Sequence, residues 1–283
     1  MSRQPPLVDT HAHLDFHAFD EDREAVLQRA REAGLVAVLI PAVDLASAHQ
    51  ALHLAESWTQ GPSLYVAVGV HPNSVAQAWQ GRVTLDWMED LTQHPRVVAI
   101  GEIGLDYYRD VTPRPAQWEA FLAQLDLAAR KGLPVVLHQR NSMADMLRIL
   151  EDWVRNLPPD HPRGVLHSFS GSPEEAQRAV ELGFAVGITG PVTFKKAEQV
   201  RQVVAVTPLE HLLVETDAPF LTPHPYRGRR NEPAYVRYVA EKIAQIKGVD
   251  LTTVAHTTTL HAWRRFRFPQ PAPIPVSSSG ASS

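Results

Sequence analysis

The chain has 283 residues, of which 44% are hydrophobic and 20% are charged, a balance typical of an ordinary globular protein. Its 27 basic and 31 acidic residues give a formal net charge of -4, which excludes a global positive field, so a polyanion must be met by local cations or by metal. The absence of cysteine excludes disulfides and thiolate metal ligands, and leaves His, Asp and Glu as the available donors.

The N-terminal residues, Met1 to Pro6, lack the long apolar core of a signal peptide, and no run approaches the length needed to cross a bilayer. A cytoplasmic location is therefore expected. The last segment, Pro269 to Ser283, consists almost wholly of Pro, Ser, Ala and Gly and is expected to be disordered. We predict one catalytic domain over residues 1–268 and a tail over 269–283.

Short runs rich in Val, Ile and Leu alternate with longer amphipathic stretches, and the alternation repeats eight times. The apolar runs predict strands at Leu7–His13, Leu35–Val43, Leu64–His71, Val97–Leu105, Pro134–Gln139, Gly164–Phe169, Phe184–Gly190 and His211–Thr216. The amphipathic stretches predict helices, among them Asp20–Ala33, Leu45–Trp58, Pro115–Lys131 and Pro173–Leu182. Gly34 and Gly132 stand where helices should end, and Ser172 begins a capping sequence.

Near-continuous apolar strands separated by helices are typical of a parallel sheet that is covered on both faces. Eight such units in a chain of this length predict a (β/α)8 barrel, the TIM-barrel architecture of many metal-dependent hydrolases. A doubly wound sheet would need a G-x-G-x-x-G turn after an early strand. The segment from Gly101 to Gly104 lacks that spacing, so the barrel is favoured.

Polar residues stand at the C-terminal ends of the predicted strands, where barrel active sites form. His11 and His13 end the first run, and residues two apart in a strand point to the same side. Later runs end in His71, Glu102, His138, His167, Glu215 and Asp217. Because the eighth strand of a closed barrel lies beside the first, Asp217 should lie near the two histidines.

The order of these donors around the barrel predicts two divalent ions, of which Mg²⁺, Mn²⁺ and Zn²⁺ suit the donor types. One ion would be held by His11, His13, Glu102 and Asp217. The other would be held by Glu102, His138 and His167. Two ions about 3.5 to 4 Å apart can activate a water and stabilise the oxygens of a phosphoryl displacement. Asp217 is the predicted acceptor of that water's proton, and Glu102 the predicted bridge.

Six motifs, THAHLD, GVHP, GEIGLDYY, LHQR, HSFSG and ETDAPFLTPHPYRGRRNEP, follow one another between Val8 and about Phe266. Together they resemble the TatD family of metal-dependent deoxyribonucleases, within the wider amidohydrolase-like barrels. The resemblance implies a (β/α)8 barrel, a divalent-metal site and hydrolysis of DNA phosphodiesters. It assigns the metal ligands to the same six residues, His11, His13, Glu102, His138, His167 and Asp217. DNA as the substrate comes from the resemblance alone.

The chain departs from the family pattern at four places without losing a predicted ligand. Asn141 replaces an acid after the LHxR motif, and Ser168 replaces the usual Cys of HCFSG. Asn73 replaces the second His of His-Pro-His, and His261 lies in an altered TTxNAxRLF ending. We expect these changes to affect substrate preference and rate more than reaction type.

Cations after the later strands are candidate phosphate contacts, namely Arg140, Lys195, Lys196, Arg227, Arg229 and Arg230. Arg229 or Arg230 could instead pair with Glu232 or Glu215 and fix the long loop after the eighth strand. Tyr107 and Tyr108 either stack on a base or pack their own loop, and packing is favoured. His71 is expected near the substrate and outside the ligand set, since six ligands already satisfy two ions.

Three functions are consistent with this pattern. The leading hypothesis is a nuclease that cleaves DNA, possibly single-stranded, from the 3′ end, with a monomer favoured and no membrane partner. The second keeps the site but hydrolyses another ester or an amide, including an aminoacyl ester on tRNA, because such barrels host many hydrolyses. The third is a non-catalytic barrel scaffold, against which the intact ligand set argues.

Overall fold

The structure is a computed structural model that describes residues 4–109 and 111–269. Apart from Pro269, the expected disordered tail lies outside the described residues, so the division into one catalytic domain and a tail stays a prediction. Within the described ranges, no helix combines the length and the apolar composition needed to cross a bilayer.

Eight parallel strands pair with one another in chain order to form one sheet. They are β1 (Leu7–Asp9), β2 (Leu35–Pro41), β3 (Ser63–Val68), β4 (Val97–Asp106), β5 (Val135–Arg140), β6 (Gly164–Leu166), β7 (Ala185–Ile188) and β8 (Leu212–Val214). Helices connect successive strands on the outside of the sheet. The predicted (β/α)8 barrel is therefore confirmed.

Ten α-helices lie among the described residues, and some of their ends coincide with signals that the sequence carries. They are α1 (Arg23–Glu32), α2 (Leu45–Ser57), α3 (Val75–Ala78), α4 (Arg82–Leu91), α5 (Arg114–Lys131), α6 (Met143–Arg155), α7 (Pro173–Glu181), α8 (Glu198–Val206), α9 (Val236–Lys247) and α10 (Leu251–Phe266). Ser172 and Glu175 form a capping box that starts α7. Gly132 adopts a φ of 65° after α5, a left-handed conformation that glycine allows without strain.

The strands bury both faces, and alternate residues enter two different clusters. Residues such as Val38 and Val66 pack against the surrounding helices. Their neighbours Leu39 and Tyr65 belong to a second cluster that includes Trp263 of α10. Because side chains alternate across a strand, this second cluster fills the barrel interior. The apolar filling leaves the C-terminal mouth of the barrel to polar side chains.

The barrel closes through the segments that follow β8 and β1. The Thr10 amide donates to the Val214 carbonyl at 3.2 Å, and the Asp217 amide donates to the His11 carbonyl at 2.8 Å. Ala12 and Ala218 form an isolated parallel bridge between these segments. This closure brings Asp217 beside the His-x-His, as the barrel prediction requires.

Several strands end earlier than predicted, so the candidate donors lie in the segments just beyond them. The strand β1 ends at Asp9 and not at His13, because the Asp9 carboxylate interrupts the ladder. Its Oδ1 accepts the amide hydrogens of His11 at 3.2 Å and of Thr216 at 2.9 Å. The strands β6 and β8 also end earlier than predicted, at Leu166 and not at Phe169, and at Val214 and not at Thr216.

Candidate metal centre

Four of the predicted donors surround one point at the barrel mouth. His11 Nε2 lies 3.3 Å from His13 Nε2 and 3.3 Å from Glu102 Oε2. Asp217 Oδ1 lies 3.9 Å from His11 Nε2 and 3.6 Å from His13 Nε2. A tetrahedral shell with metal–ligand bonds of about 2.1 Å places its donor atoms about 3.4 Å apart. The spacing and the donor types therefore fit one divalent ion.

The second oxygen of Glu102 belongs to a second group of donors. Glu102 Oε1 lies 2.9 Å from His138 Nδ1 and 3.7 Å from His71 Nε2. One nitrogen or oxygen from each of these three residues lies within 4.8 Å of the others. A carboxylate that offers one oxygen to each group is suited to bridge two ions. His71, which we predicted outside the ligand set, lies among the donors.

His167 lies on the other side of the cluster from its predicted position. Its Nε2 is 3.6 Å from Asp217 Oδ1. His167, Asp217 and His11 each place one donor atom within 4.8 Å of the other two. The His167 and His11 rings are stacked with centroids 3.3 Å apart. The structure thus brings all six predicted ligands into one cluster, but it groups His71, and not His167, with Glu102 and His138.

Asp106 orients His138, and the sequence reasoning missed this role. Asp106 Oδ2 lies 3.0 Å from His138 Nε2, and it accepts a hydrogen bond from Asn73 Nδ2 at 3.1 Å. Asn73 is one of the departures from the family pattern, and its side-chain amide donates this hydrogen bond to Asp106. The missed signal was spacing, because Asp106 stands four residues after Glu102 in β4 and so shares its side of the strand.

Glu215 orients His167 in the same way. The fully buried Glu215 Oε2 accepts from His167 Nδ1 at 2.9 Å and from the Ser168 amide at 2.9 Å. The suggested pairing of Glu215 with a loop arginine is wrong, since its other oxygen accepts from the Thr10 hydroxyl at 3.2 Å. Ser168 contributes its backbone amide here, which explains why Ser can stand in place of Cys.

Replacing Glu215 by Gln should weaken metal binding and turnover by about 10- to 100-fold, because the amide supports His167 less well than a carboxylate. Metal affinity measured by titration calorimetry and kcat/KM on the same preparation check this. The matched control is Glu56→Gln, which changes an exposed glutamate paired with His94. Wild-type metal affinity in Glu215→Gln would contradict the assigned role.

Burial and neighbouring charges shift the pKa values of the clustered donors in both directions. Burial opposes ionisation of Glu102, but His11 and His71 hold the pKa of that carboxyl well below its ordinary value. Burial, with the nearby His138, lowers the pKa of His71 to about 3. The pKa of His11 is lowered by burial and by His167.

Burial opposes protonation of His13, His138 and His167, but nearby carboxylates raise the pKa of all three, that of His167 to about 9. These histidines release protons when a metal binds, so metal affinity should rise with pH.

A cavity of about 650 Å³ opens above the donors. Arg109, in the loop after β4, and Arg140, the last residue of β5, line it on one side. The loops after β1 and β8 line it with Phe16 and Phe220 on the other. Strands four places apart in an eight-stranded barrel lie opposite each other, so one wall is cationic and the opposite wall is aromatic. This size is within the range of small-ligand sites.

A larger cavity of about 1170 Å³ lies beside it and shares Phe16 and Val43. Its lining is rich in carboxylates, with Asp15, Asp20, Glu21, Asp22, Glu24 and Asp44. Such a lining repels polyanions. We therefore take the smaller cavity over the donors as the candidate substrate site.

The predicted substrate contacts divide into two groups. Arg140 and His71 line the cavity above the donors. The remaining five, Lys195, Lys196, Arg227, Arg229 and Arg230, are exposed and are not among the lining residues. The Arg227 guanidinium lies 4.4 Å from the centroid of the Phe194 ring, and that of Arg229 lies 5.9 Å from that of Tyr226.

Arg230 holds the long loop after β8 to the loop before α1. Its two terminal nitrogens donate to the Asp22 carboxylate at 2.7 and 2.8 Å. Glu232 forms an ion pair with Arg29, with 2.7 Å between Glu232 Oε2 and a terminal nitrogen of Arg29. It pairs with neither Arg229 nor Arg230. The structural alternative for Arg230 is thus favoured, although its partner differs from the predicted one.

The two tyrosines considered for base stacking, Tyr107 and Tyr108, have different environments. The Tyr107 hydroxyl donates to Asp145 at 2.8 Å and accepts from Trp118 Nε1 at 2.7 Å, which agrees with packing. Tyr108 is 61% exposed, and the Arg140 guanidinium lies 3.9 Å from its ring centroid.

Asn141, which replaces an acid of the family pattern, adopts a φ of 55°, a left-handed conformation that Asn tolerates.

Replacing Arg230 by Ala should lower the free energy of unfolding by about 1 kcal/mol or less, since the pair is partly exposed, and should leave KM unchanged. Arg140→Ala should instead raise KM about tenfold through a lost charge-assisted contact. Urea unfolding and Michaelis kinetics check both. The Arg230 hydrogen bond lowers the pKa of Asp22 to about 2, so the stability difference should persist above about pH 4 and fade as pH falls towards 2. The reverse pattern of effects would contradict these assignments.

Residues 8–267 match the model of a protein family described as TatD related DNase. The chain is similar to an uncharacterized metal-dependent hydrolase, YabD, of Bacillus subtilis, with 39% identity over 92% of this chain and 99% of the relative. It is 38% identical to the 3'-5' ssDNA/RNA exonuclease TatD of Escherichia fergusonii, over 89% of this chain and 95% of the relative. The fold is similar to that of YjjV, a TatD homolog from Escherichia coli, with a TM-score of 0.84 and 35% identity over 92% of this chain and 98% of that chain.

Proposed function

The chain belongs to the TatD family of metal-dependent hydrolases, and from this premise we propose that it removes nucleotides from the 3′ end of single-stranded nucleic acid by hydrolysis. The observation that carries the proposal is Glu102, whose two carboxylate oxygens serve two different groups of buried donors. Such a pair of groups suits phosphodiester chemistry, in which the attacking and the leaving oxygen both carry charge. The relatives named as ssDNA/RNA exonucleases support the choice of substrate.

We assign one ion to His11, His13, Glu102 and Asp217. We assign the second to Glu102, His138 and His71. His167, which groups with His11 and Asp217, is proposed as a further donor to the first ion. Divalent ions bound there supply a polarised water and neutralise charge on the scissile phosphate.

Asp217 is proposed as the acceptor of the proton lost by the attacking water. Burial opposes its ionisation, but His13 and His167 hold the pKa of this carboxyl below its ordinary value. Its side chain is 15% exposed, more than that of Glu102, and it lines the cavity. A carboxylate that is ionised, fixed and open to the cavity can take up a proton from substrate-side water.

Arg109 and Arg140 are proposed to hold the phosphates of the bound strand. Both are exposed on the cationic wall of the cavity. The carboxylate-lined cavity on the other side of Phe16 disfavours passage of a polyanion in that direction. A strand that approaches from the β4–β5 side and ends at the donors accounts for removal of terminal nucleotides.

A panel of substrates tests the proposal. It contains single- and double-stranded DNA and RNA labelled at either end, together with carboxylic esters, amides and aminoacyl-tRNA, each in Mg²⁺, Mn²⁺ or Zn²⁺. We expect mononucleotides to be released from the 3′ end of single strands. Faster hydrolysis of an ester, an amide or aminoacyl-tRNA would favour the second hypothesis. Less than one ion per chain on metal analysis, with no hydrolysis, would favour the scaffold.

A further inference from the structure

Phe220 presents an exposed phenyl ring on a rigidly held backbone. The side chain is 51% exposed, although most large apolar side chains of the described residues are buried. Its amide donates to the Asp217 carbonyl at 2.7 Å, and its carbonyl accepts from Asn231 Nδ2 at 2.5 Å. Asn231 is fully buried and also donates to the Thr216 carbonyl at 2.8 Å. The fold thus fixes an apolar ring in water, three residues beyond a proposed metal ligand.

The ring forms one side of an aromatic corner beside the donors. Phe220 lies edge-on to Phe16 at a centroid distance of 6.2 Å and to His13 at 6.3 Å. Phe16 itself stacks on the His13 ring at 4.6 Å. Phe16 and His13 therefore each cover one face of the other, whereas the exposed area of Phe220 is open to a ligand.

The wall opposite this corner is cationic. Arg109, in the loop after β4, and Arg140, at the end of β5, line the same cavity across the barrel from the loops that carry Phe16 and Phe220. A ligand that satisfies both walls carries a flat apolar ring at one end and anionic groups at the other. A nucleotide has this composition, and base–aromatic stacking accepts every base because each has a π-face.

We propose that Phe220 is the stacking platform for the base of a nucleotide next to the scissile phosphate, so that the enzyme requires a base there but does not read which one. The inference rests on the proposed nuclease function. It explains why an exposed ring stands at this point of the mouth. It also predicts that a phosphodiester without a base at that position is a poor substrate.

The test compares a normal single-stranded oligonucleotide with two others, which carry an abasic residue at the terminal or at the penultimate 3′ position. Wild-type kcat/KM should fall roughly 5- to 100-fold for one of the two abasic substrates. Phe220→Ala and Phe220→Leu should lose a similar factor on the normal oligonucleotide and nothing further on that abasic one. Phe220→Tyr keeps the ring and should retain the wild-type preference. Leu122→Ala, at an exposed position on α5, is the matched control.

Two results would overturn the inference. One is equal hydrolysis of all three oligonucleotides by the wild type. The other is an equal loss on all three in Phe220→Ala, with an unchanged melting temperature. Hydrolysis of none of them by the metal-loaded wild type would overturn the proposed function itself, and this inference with it, so the two failures are distinguishable.

Discussion

Glu102→Ala should lose most of its bound metal and more than about 100-fold in kcat/KM, a larger loss than that expected for a supporting residue such as Glu215. The carboxylate is the point where the two donor groups meet, so its removal takes one ligand from each. The barrel should stay folded, because the Glu102 backbone amide donates to the Ala42 carbonyl at 3.0 Å whatever the side chain. Circular dichroism, metal content by mass spectrometry and initial rates measure the three quantities.

The matched control for this variant is Glu151→Ala, which removes a glutamate on α6 that pairs with Arg178. It should keep both metal and rate. Full metal content in Glu102→Ala, or activity within tenfold of the wild type, would contradict the bridging assignment.

Asp217→Asn should separate metal binding from proton transfer. The amide keeps the shape of the side chain and one oxygen, so the variant should retain more metal than Glu102→Ala. It removes the proposed proton acceptor, and loss of general-base catalysis costs about 100- to 10,000-fold in rate. We therefore expect turnover as poor as that of Glu102→Ala, at a higher metal content. Metal titration and single-turnover kinetics on the same oligonucleotide measure the two effects.

Asp152→Asn serves as the matched control, since Asp152 is exposed on α6 and pairs with Arg155. It should behave as the wild type. Near-normal turnover in Asp217→Asn would show that Asp217 is not the proton acceptor. As little metal as in Glu102→Ala would contradict the predicted separation of metal binding from proton transfer.

The barrel could be predicted because its strands are short apolar runs, and because parallel strands place their C-terminal ends together. The same rule predicts that His11, His13 and Asp217 lie together. The strand ends could not be predicted, since β1 stops where the Asp9 side chain takes over hydrogen bonds of the ladder. That exchange depends on a residue 207 positions away in the chain, Thr216, and has no local signature.

The grouping of the donors depends on side-chain direction, which strand position alone does not give. His71 was placed outside the ligand set because the count of ligands already satisfied two ions. Its Nε2 nevertheless faces Glu102 Oε1, while Glu215 turns His167 towards Asp217. Strand position also does not show which carboxylates orient the histidines, because Glu215 at a strand end fits a loop-arginine partner as well as the partner of a ligand.

The surface cations were the hardest to interpret from sequence. Arg140 and Arg230 look alike in the sequence, yet one lines the cavity and the other is bound to Asp22. Phe220 lies in the ETDAPFLTPHPYRGRRNEP motif, where nothing in the sequence distinguishes an exposed ring from a packed one. Its exposure beside the donors is visible only in the fold.

The central claim is that this barrel is a metal-dependent nuclease acting at the 3′ end of a single strand. The most direct measurement follows a 5′-labelled single-stranded oligonucleotide over time, with enzyme stripped by a chelator and then supplied with Mg²⁺, Mn²⁺ or Zn²⁺. We expect no cleavage by the stripped enzyme and, after metal addition, a ladder that shortens one nucleotide at a time from the 3′ end. Undiminished cleavage in the presence of excess chelator, or an intact oligonucleotide with every metal, would contradict the claim.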